Sequence, residues 1–310
     1  MWKQVTSVEW AQKTLDLPFS IFFNPEFLGT LAQTYSATVI YYLYEEHSQL
    51  KSATAFFSKS NEIITPAEFY YHPFWVAKPM TEFIYIEILT SIICSLKATY
   101  RRITLKLDPS ITDIRPFIWN GFKIENKFTY VNLNNHPSGK SVLKDSLRLE
   151  TREYLFKVEG YDKRSWELNC SFHQSLAFSA QLLRGYEKLF NLWSEHNFLQ
   201  SCNLYKGNKL IAAALVLIDN KSGKVYRVML NRVDNEKYAH TYLNYYFLKW
   251  CNEHKYSYVD FCGANIRNIS LFKSRFGTTL IPYHKVYYDP YYNTIERLAA
   301  KLASVIRRIV

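Results

Sequence analysis

An aspartate ends a short predicted strand in the second half of the chain. Asp260 lies near the carboxyl end of the stretch Tyr256–Cys262, where α/β sheets present groups to ligands. A carboxylate there can take a proton from an attacking amine or hold an ammonium group. The alternative is structural: Asp260 caps the turn at residues 265–268, or pairs with Lys273 or Arg275. The residues alone leave both interpretations open.

A histidine at the start of a helix is the second candidate for proton transfer. His240 opens the predicted helix Tyr238–His254, where a neutral imidazole can act as a general base. The alternative is an exposed residue in the first helical turn. His72 and His173 stand among aromatic residues, and their surroundings favour packed side chains over catalysis. His240 therefore joins the aspartate as a predicted catalytic residue.

Basic side chains are candidates for binding an anionic donor. The set combines two residues before the helix, two after the strand and three arginines elsewhere. These candidates are Arg232, Lys237, Lys273, Arg275, Arg115, Arg148 and Arg152. Lys273 and Arg275 are two residues apart, and a short helix does not point both in the same direction, so only one of them is expected to meet the anion. The alternative for such charges is a solvated face.

Aromatic and amide side chains near these positions are assigned to a substrate cleft. The residues of this predicted cleft are Trp119, Tyr130, Tyr226 and Asn265. For Trp119 and Tyr130, packing in the core and between domains is favoured over stacking on a base. Cys262 is disfavoured as a nucleophile, because no histidine is near it in sequence and its strand neighbours are apolar.

Composition limits the classes of protein that the chain can represent. It has 310 residues, a net charge of +11, 48% hydrophobic and 21% charged residues, which is enough apolar material for a large core. The longest apolar candidate, Phe83–Leu96, is too short for a membrane span and contains Glu87. The N-terminus has no apolar leader, so a cytoplasmic location is predicted. The cysteines show no CxxC spacing, and no metal site is expected.

The order of predicted elements repeats at half the chain length. In the second half, residues 203–231 predict a three-strand meander, followed by the helix from Tyr238, a strand, a short helix ended by Gly277 and a last strand. In the first half, two strands precede a helix over residues 81–98, then come a strand, a short helix ended by Gly121 and another strand. Two copies of one α/β unit therefore fit better than one large domain.

The repeat sets the predicted domain boundaries. An N-terminal domain covers residues 1–138, a helical charged connector 139–165, and a C-terminal domain 166–290. Residues 291–310 are predicted to form a basic amphipathic helix, because apolar residues fall on one face and arginines and a lysine lie off it.

Two motifs resemble the FemAB-like branch of the GNAT acyltransferase superfamily. They are DIRPFIWNGFKIENKFTYVNL at Asp113–Leu133 and DFCGANIRNISLFKSRFGTTLIPY at Asp260–Tyr283, and the segment SIFFNPEFL at Ser20–Leu28 resembles the start of these proteins. The resemblance implies an α/β fold of two tandem GNAT-like domains and transfer of an acyl or aminoacyl group to an amine. It also implies that Asp260 and Lys273 occupy motif positions. The donor would be an acyl-CoA or an aminoacyl-tRNA, with no permanently bound cofactor.

The turn that binds the donor's phosphates in a GNAT fold corresponds to Asn231–Lys237. It contains no glycine, although close approach of backbone amides to a pyrophosphate favours glycine. Asp234 and Glu236 would repel phosphate, which leaves Arg232 and Lys237 as its partners. The sequence therefore disfavours a conventional CoA site.

The sequence is compatible with two functions. The first is an N-acyltransferase or aminoacyltransferase whose acceptor is an amine-bearing small molecule or a lipid-linked cell-envelope precursor. The net charge of +11 fits a polyanionic donor such as tRNA. The terminal helix would rest on the inner membrane surface or, as an equal alternative, pack its apolar face on the second domain. The second is a catalytically silent GNAT-like protein that binds a ligand or partner. Sequence-specific DNA binding is not expected, because no DNA-binding motif is present.

Overall fold

The computed structural model of the protein describes residues 1–17, 19–133, 137–150 and 154–291, without the side chains of residues 148–150. The strands in these ranges are β1 Trp2–Val5, β2 Thr38–Glu46, β3 Gln49–Lys59, β4 Glu62–Ile64, β5 Phe74–Val76, β6 Arg102–Lys106, β7 Lys123–Leu133, β8 Tyr154–Gly160, β9 Leu199–Lys206, β10 Lys209–Asp219, β11 Lys224–Arg232, β12 Tyr258–Asp260 and β13 Thr279–Tyr288. The helices are α1 Ser7–Thr14, α2 Pro25–Tyr35, α3 Glu82–Thr99, α4 Arg115–Trp119, α5 Lys140–Glu150, α6 Lys163–Ser175, α7 Ala180–Glu195, α8 Ala239–Glu253 and α9 Arg267–Lys273, with a 3₁₀ helix at Ile21–Phe23.

The described residues group into two compact units, each discontinuous in the chain. The first unit comprises Met1–Lys13, Ser36–Asn126 and the described residues from Tyr283 onward. The second comprises Thr14–Tyr35 and Lys127–Pro282. The predicted domains are continuous, so this grouping differs from them chiefly in assigning the early segment Thr14–Tyr35 to the second unit.

The first unit is a mixed sheet with α3 on one face. Its strands run in the order β1, β2, β3, β4, β6, β13, and β5 pairs with β3. The pairs are antiparallel except for β4 with β6. Helix α3 begins after Thr81, whose hydroxyl accepts from the Ile84 amide, and it buries a row of apolar side chains against the sheet. That row is Ile88, Leu89, Ile92, Ile93 and Leu96.

The second unit is also a mixed sheet, and the predicted meander forms its centre. Its strands run in the order β7, β12, β11, β10, β9, β8, and the one parallel pair among the described strands of this unit is β11 with β12. Helix α8 covers one face and buries Leu243, Phe247 and Cys251 in the core. This order, a meander followed by a helix and a parallel strand, positions the candidate site described below.

One predicted element is wrong. The connector 139–165 is expected to be helical, but between α5 and the start of α6 at Lys163 it contains the strand β8, which pairs antiparallel with β9 at the edge of the second sheet. Tyr154, Phe156 and Val158 pack against the core of this unit, and the exposed Leu155 and Lys157 alternate with them. This period of two is typical of a half-buried strand.

Two further expectations concern the ends of the chain and the membrane. The predicted amphipathic helix at residues 291–310 lies outside the described residues, apart from Tyr291 itself. No helix in the described part of the chain is both long and apolar enough to cross a membrane.

A buried carboxylate fastens the early segment to the second unit. Asp219, at the end of β10, accepts a hydrogen bond of 2.6 Å from the backbone amide of Ile21 and one of 3.2 Å from that of Ser222. We expect Asp219→Ala to lower the free energy of unfolding by about 2 kcal/mol, because the amides of Ile21 and Ser222 and the hydroxyl of Ser222 lose their acceptor. Urea denaturation measures this change. Asp234→Ala, at an exposed aspartate of the same unit, should change it by less than about 0.5 kcal/mol, and an equal effect of both variants would contradict the account.

Candidate active site

A cavity opens where the parallel pair of the second unit stops pairing. Strands β11 and β12 are in register from Lys224–Tyr258 to Tyr226–Asp260. The residues just beyond this point, 227–230 on β11 and 261–262 after β12, line a cavity of about 460 Å³. Helices α6, α8 and α9 supply its other walls. Beyond Tyr226 and Asp260 the two chain segments are no longer paired, and in this sense the strands are splayed, with space for a ligand beyond their last pair.

A bulge in β11 lies in the wall of this cavity. Met229 is opposite Leu215 of β10 and Arg227 is opposite Val216, so Val228 has no partner in the register between them. A bulge leaves one residue without a partner in the hydrogen-bond ladder and changes the direction of the backbone there. This places an irregular stretch of backbone beside the ligand space.

Apolar side chains form most of the cavity wall. They come from α6, the loop that follows it, and the segment from β12 to α9. The main contributors are Phe172, Leu176, Phe178, Ile266, Ile269 and Phe272. Ile266 and Leu176 are 55% and 38% exposed, so part of this apolar surface is open to solvent.

The lysine of the predicted motif holds the loop at the end of β12. Lys273 is 6% exposed, and its Nζ donates to the carbonyl oxygens of Phe261 at 2.5 Å, Cys262 at 3.0 Å and Gly263 at 2.6 Å. Cys262 and Gly263 have positive φ angles of 52° and 84°, which turn the carbonyls toward one point. Burial, reinforced by the charge of Arg227, lowers the pKa of Lys273 to about 7. The three donors of the ammonium group are used within the protein, so the predicted contact with a donor phosphate is replaced by a contact with the loop.

A buried arginine that the sequence analysis did not select lies beside this lysine. Arg227 is 3% exposed, its guanidinium lies 4.1 Å from the ring centroid of Phe261, and it donates to the side-chain oxygen of Asn244. Burial lowers the pKa of Arg227 to about 10, so the group is cationic at neutral pH. Together with Lys273 it makes this end of the cavity electropositive.

The predicted catalytic aspartate supports the same loop. Asp260 is fully buried, and its Oδ1 accepts hydrogen bonds from the Thr129 hydroxyl at 2.5 Å and the Cys262 amide at 2.7 Å. Its charge raises the pKa values of Arg227 and Lys273 against the larger effect of burial. The anticipated capping role is therefore present, but at Cys262 and not at residues 265–268.

The predicted catalytic histidine faces the cavity. His240, in the first turn of α8, lines the space, and its buried Nε2 has no hydrogen-bond partner among the described residues. Burial, and then the charges of Arg232 and Arg227, lower the pKa of His240 to about 3. The imidazole is therefore neutral at neutral pH and offers a nitrogen to a ligand. His173 and Cys262, which the sequence disfavours for catalysis, line the same cavity.

In the turn Asn231–Lys237, which is predicted to hold a pyrophosphate, the polar side chains form hydrogen bonds and ion pairs within the protein. Arg232 Nη1 donates to the carbonyls of Val233 and Asp234, both at 2.7 Å. The buried Glu236 carboxylate accepts from the Tyr154 hydroxyl at 2.5 Å and pairs with Lys206 at 3.0 Å. These contacts disfavour binding of a CoA pyrophosphate at this turn, because the turn carries a buried carboxylate and Arg232 Nη1 is bonded within it. Lys237 is exposed, with Nζ 5.7 Å from the ring centroid of Tyr238.

Other predicted anion contacts lie away from the cavity wall. Arg275 pairs with Asp145 of α5 at 2.6 Å. Arg115 belongs to the first unit and pairs with Asp113 at 2.7 Å and with Glu82, which raises its pKa. The side chain of Arg148 and all of Arg152 lie outside the described residues.

The predicted cleft residues are dispersed. Trp119, in the first unit, is 62% exposed, and Arg115 lies 5.6 Å from its ring. Tyr226 is buried, with its ring 4.9 Å from that of Phe22. Asn265 accepts from the amide of Phe128 at 3.0 Å, and the carbonyl of Tyr130 accepts from Phe261. None of these four side chains lines the cavity formed by the described residues.

The fold and this geometry define a class of protein. A meander, a bulged strand, a helix and a parallel strand that splays from its neighbour form the GNAT-like arrangement that the sequence motifs predicted. No protein-family model matches the chain, and no curated protein matches it in sequence. The chain has a FemX-like tandem GNAT fold, as comparisons with solved structures show.

Three solved structures illustrate this similarity. FemX aligns with a TM-score of 0.63 at 11% identity, over 92% of this chain and 96% of that one. The C-terminal domain of a putative lysylphosphatidylglycerol synthetase from Agrobacterium fabrum gives 0.60 at 10% identity, over 96% and 97%. A tandem GNAT protein from the clavulanic acid biosynthesis pathway gives 0.54 at 8% identity, over 93% and 97%. The predicted fold class is confirmed.

Proposed function

We propose that the chain is an enzyme that transfers an acyl group to an amine in the cavity of the second unit. The observation that carries the proposal is the splayed pair β11 and β12, which opens onto a 460 Å³ space that His240, Arg227 and Lys273 border. Acyl transfer requires a bound carbonyl, a base and positive charge near the developing oxyanion. These three requirements correspond to the splayed backbone, the neutral histidine and the two cations.

The proposed transfer forms one bond at the acyl carbon and breaks another. The amine nitrogen attacks the acyl carbonyl, a carbon–nitrogen bond forms, and the bond from that carbon to the donor's leaving group breaks. His240 Nε2 takes the proton that the amine loses and returns it to the leaving group, and the negative charge that develops on the carbonyl oxygen raises the pKa of His240 from about 3 during this step. Arg227 and Lys273 stabilise the negative charge on the carbonyl oxygen through their field, while Asp260 and Lys273 fix the shape of the loop.

The acceptor in this proposal is an amine on a cell-envelope precursor, either a small molecule or a lipid-linked one. FemX and a putative lysylphosphatidylglycerol synthetase share the fold, and the net charge of +11 suits an anionic substrate. The reaction would take place in the cytoplasm and meet a lipid-linked acceptor at the inner membrane surface. Donors of both classes, acyl-CoA and aminoacyl-tRNA, are candidates, although the occupied turn disfavours CoA.

One observation favours a second function, which is ligand binding without catalysis. The donor turn is closed by Arg232, Glu236 and their partners, so a protein that has lost the donor site but kept the cavity would show the same geometry. Activity decides between the two functions.

The experiment is a transfer assay with the whole chain. The protein is incubated with acyl-CoAs of several chain lengths, with charged tRNAs and with amine acceptors, and products are detected by mass spectrometry. We expect an amide product with at least one donor, and its yield should rise with enzyme concentration. No product from any donor would overturn the proposal in favour of ligand binding.

A further inference from the structure

The ionisable side chains around the cavity carry charge of one sign. Arg227 and Lys273 are its cations, and His173 and His240 also line it. No aspartate or glutamate is among the described residues of its wall. The nearest named carboxylate, Asp260, is fully buried and bonded to Thr129 and to the Cys262 amide.

The backbone acceptors nearest the cations are already in use. The carbonyls of Phe261, Cys262 and Gly263 all accept from Lys273, at 2.5 to 3.0 Å. A ligand ammonium group would need several such acceptors or a carboxylate to replace its water, and the described side chains of the wall offer His240 Nε2 and the amide of Asn268 but no carboxylate. Beside the guanidinium of Arg227 and the Lys273 side chain, which is protonated in part at pH 7, it would instead be repelled.

Apart from Asn268, the histidines and Cys262, the remaining wall is apolar, and the cavity is wide enough for a substantial side group. Phe172, Phe178, Ile269 and Phe272 border a space of about 460 Å³, which is within the range of small-molecule sites. An apolar group gains free energy here in proportion to the surface that it buries.

We infer that the cavity binds an apolar acyl group that has no free amine, with its carbonyl or carboxylate end toward Arg227 and His240. An aromatic or branched aliphatic acyl group is apolar and has no amine, so it satisfies both conditions. An aminoacyl group carries an ammonium group that the positive charge of the wall repels. The inference rests on the proposed function, in which the bound acyl group is the one transferred. Of the two donor classes that the proposed function names, it favours an acyl-CoA over an aminoacyl-tRNA.

Two ligands that differ only in the amine test the inference by isothermal titration of the whole chain at pH 7. The probes are 3-phenylpropanoate and phenylalanine, which share the ring and the carboxylate. We expect 3-phenylpropanoate to bind at least tenfold more tightly than phenylalanine. Equal affinities, tighter binding of phenylalanine, or no binding of either probe would overturn the inference.

A charge introduced into the wall should change this preference. Ile269→Asp places a carboxylate among the lining residues, and we expect it to weaken 3-phenylpropanoate at least tenfold while binding of 3-phenylpropylamine appears. Leu271→Asp is the matched control, because Leu271 is on the same helix, is 60% exposed and does not line the cavity. An unchanged preference in Ile269→Asp, or the same change in both variants, would contradict the inference.

Failure of the inference and failure of the proposed function give different results. If charged tRNA yields product but 3-phenylpropanoate does not bind, the transferase assignment stands and the inference falls. If 3-phenylpropanoate binds selectively but no donor yields product, the inference stands as a binding property and the transferase assignment falls.

Discussion

Replacing Lys273 with methionine is expected to lower the free energy of unfolding by about 3 kcal/mol. Methionine has a similar length but no donors, so the carbonyls of Phe261, Cys262 and Gly263 lose their shared partner. Each unsatisfied buried acceptor costs about 1 kcal/mol or more, and removal of the costly buried cation offsets part of the loss. Urea denaturation of the whole chain gives the change.

A matched lysine separates this effect from the loss of a charge. Lys188 of α7 lies in the same unit and is exposed, so Lys188→Met should change the free energy of unfolding by less than about 0.5 kcal/mol. The structural role of Lys273 would be disproved if Lys273→Met were as stable as Lys188→Met. In that case its ammonium group would not be held by the loop.

Replacing His240 with asparagine is expected to lower the rate of acyl transfer by about 10² to 10³-fold. His240 Nε2 is buried, faces the cavity and has no partner among the described residues, so it is free to accept a proton from the amine. Asparagine is polar but has no basic nitrogen. The quantity to measure is kcat with the donor that the transfer assay identifies, and KM should change much less than kcat.

His254 provides the control for this substitution. It follows the other end of α8, and its Nδ1 lies 2.9 Å from the carbonyl of Trp250. His254→Asn should leave kcat within about twofold of the unmodified protein. Equal rates in His240→Asn and the unmodified protein would show that another group takes the proton.

The lowered pKa of His240 makes the free energy of unfolding depend on pH. Its ordinary value of 6.5 is lowered to about 3 in the fold, so the unfolded chain binds the extra proton between these pH values. Stability therefore falls as the pH falls from 6.5 toward 3. His240→Asn should show a smaller loss across this window, which confirms that the imidazole is buried in its neutral form.

Local periodicity predicted most of the elements around the site. The meander at residues 203–231 corresponds to β9, β10 and β11, and the helix predicted over Tyr238–His254 is α8, flanked by these two residues. Gly121 and Gly277 have φ angles of 81° and 63°, which explains their place at the two repeated helix ends. Strand β8 is not evident from the sequence because Leu155 interrupts its alternation of apolar and polar residues, and because the charged residues on either side of it are equally typical of an exposed helix.

The sequence predicts where the candidate site residues lie better than it predicts their chemical roles. Asp260, His240 and Lys273 were selected because they follow strand ends or open helices, and the structure brings all three to one end of the second sheet. Their roles depend on which backbone groups meet them, and a sequence does not show that three carbonyls converge on Lys273. Arg227 was missed, although an arginine within the apolar strand VYRVML is a signal that a buried charge has a specific partner.

Blocking the cavity tests the central claim, that acyl transfer takes place between the splayed strands of the second unit. Ile269→Trp fills the cavity from α9, and Leu271→Trp adds the same bulk to an exposed position of that helix. The measurement is the initial rate of amide formation for both variants beside the unmodified protein, with folding checked by circular dichroism. We expect Ile269→Trp to lose at least 90% of the rate and Leu271→Trp to keep most of it. A folded Ile269→Trp protein with an unchanged rate would contradict the claim, because the acyl group would then bind elsewhere.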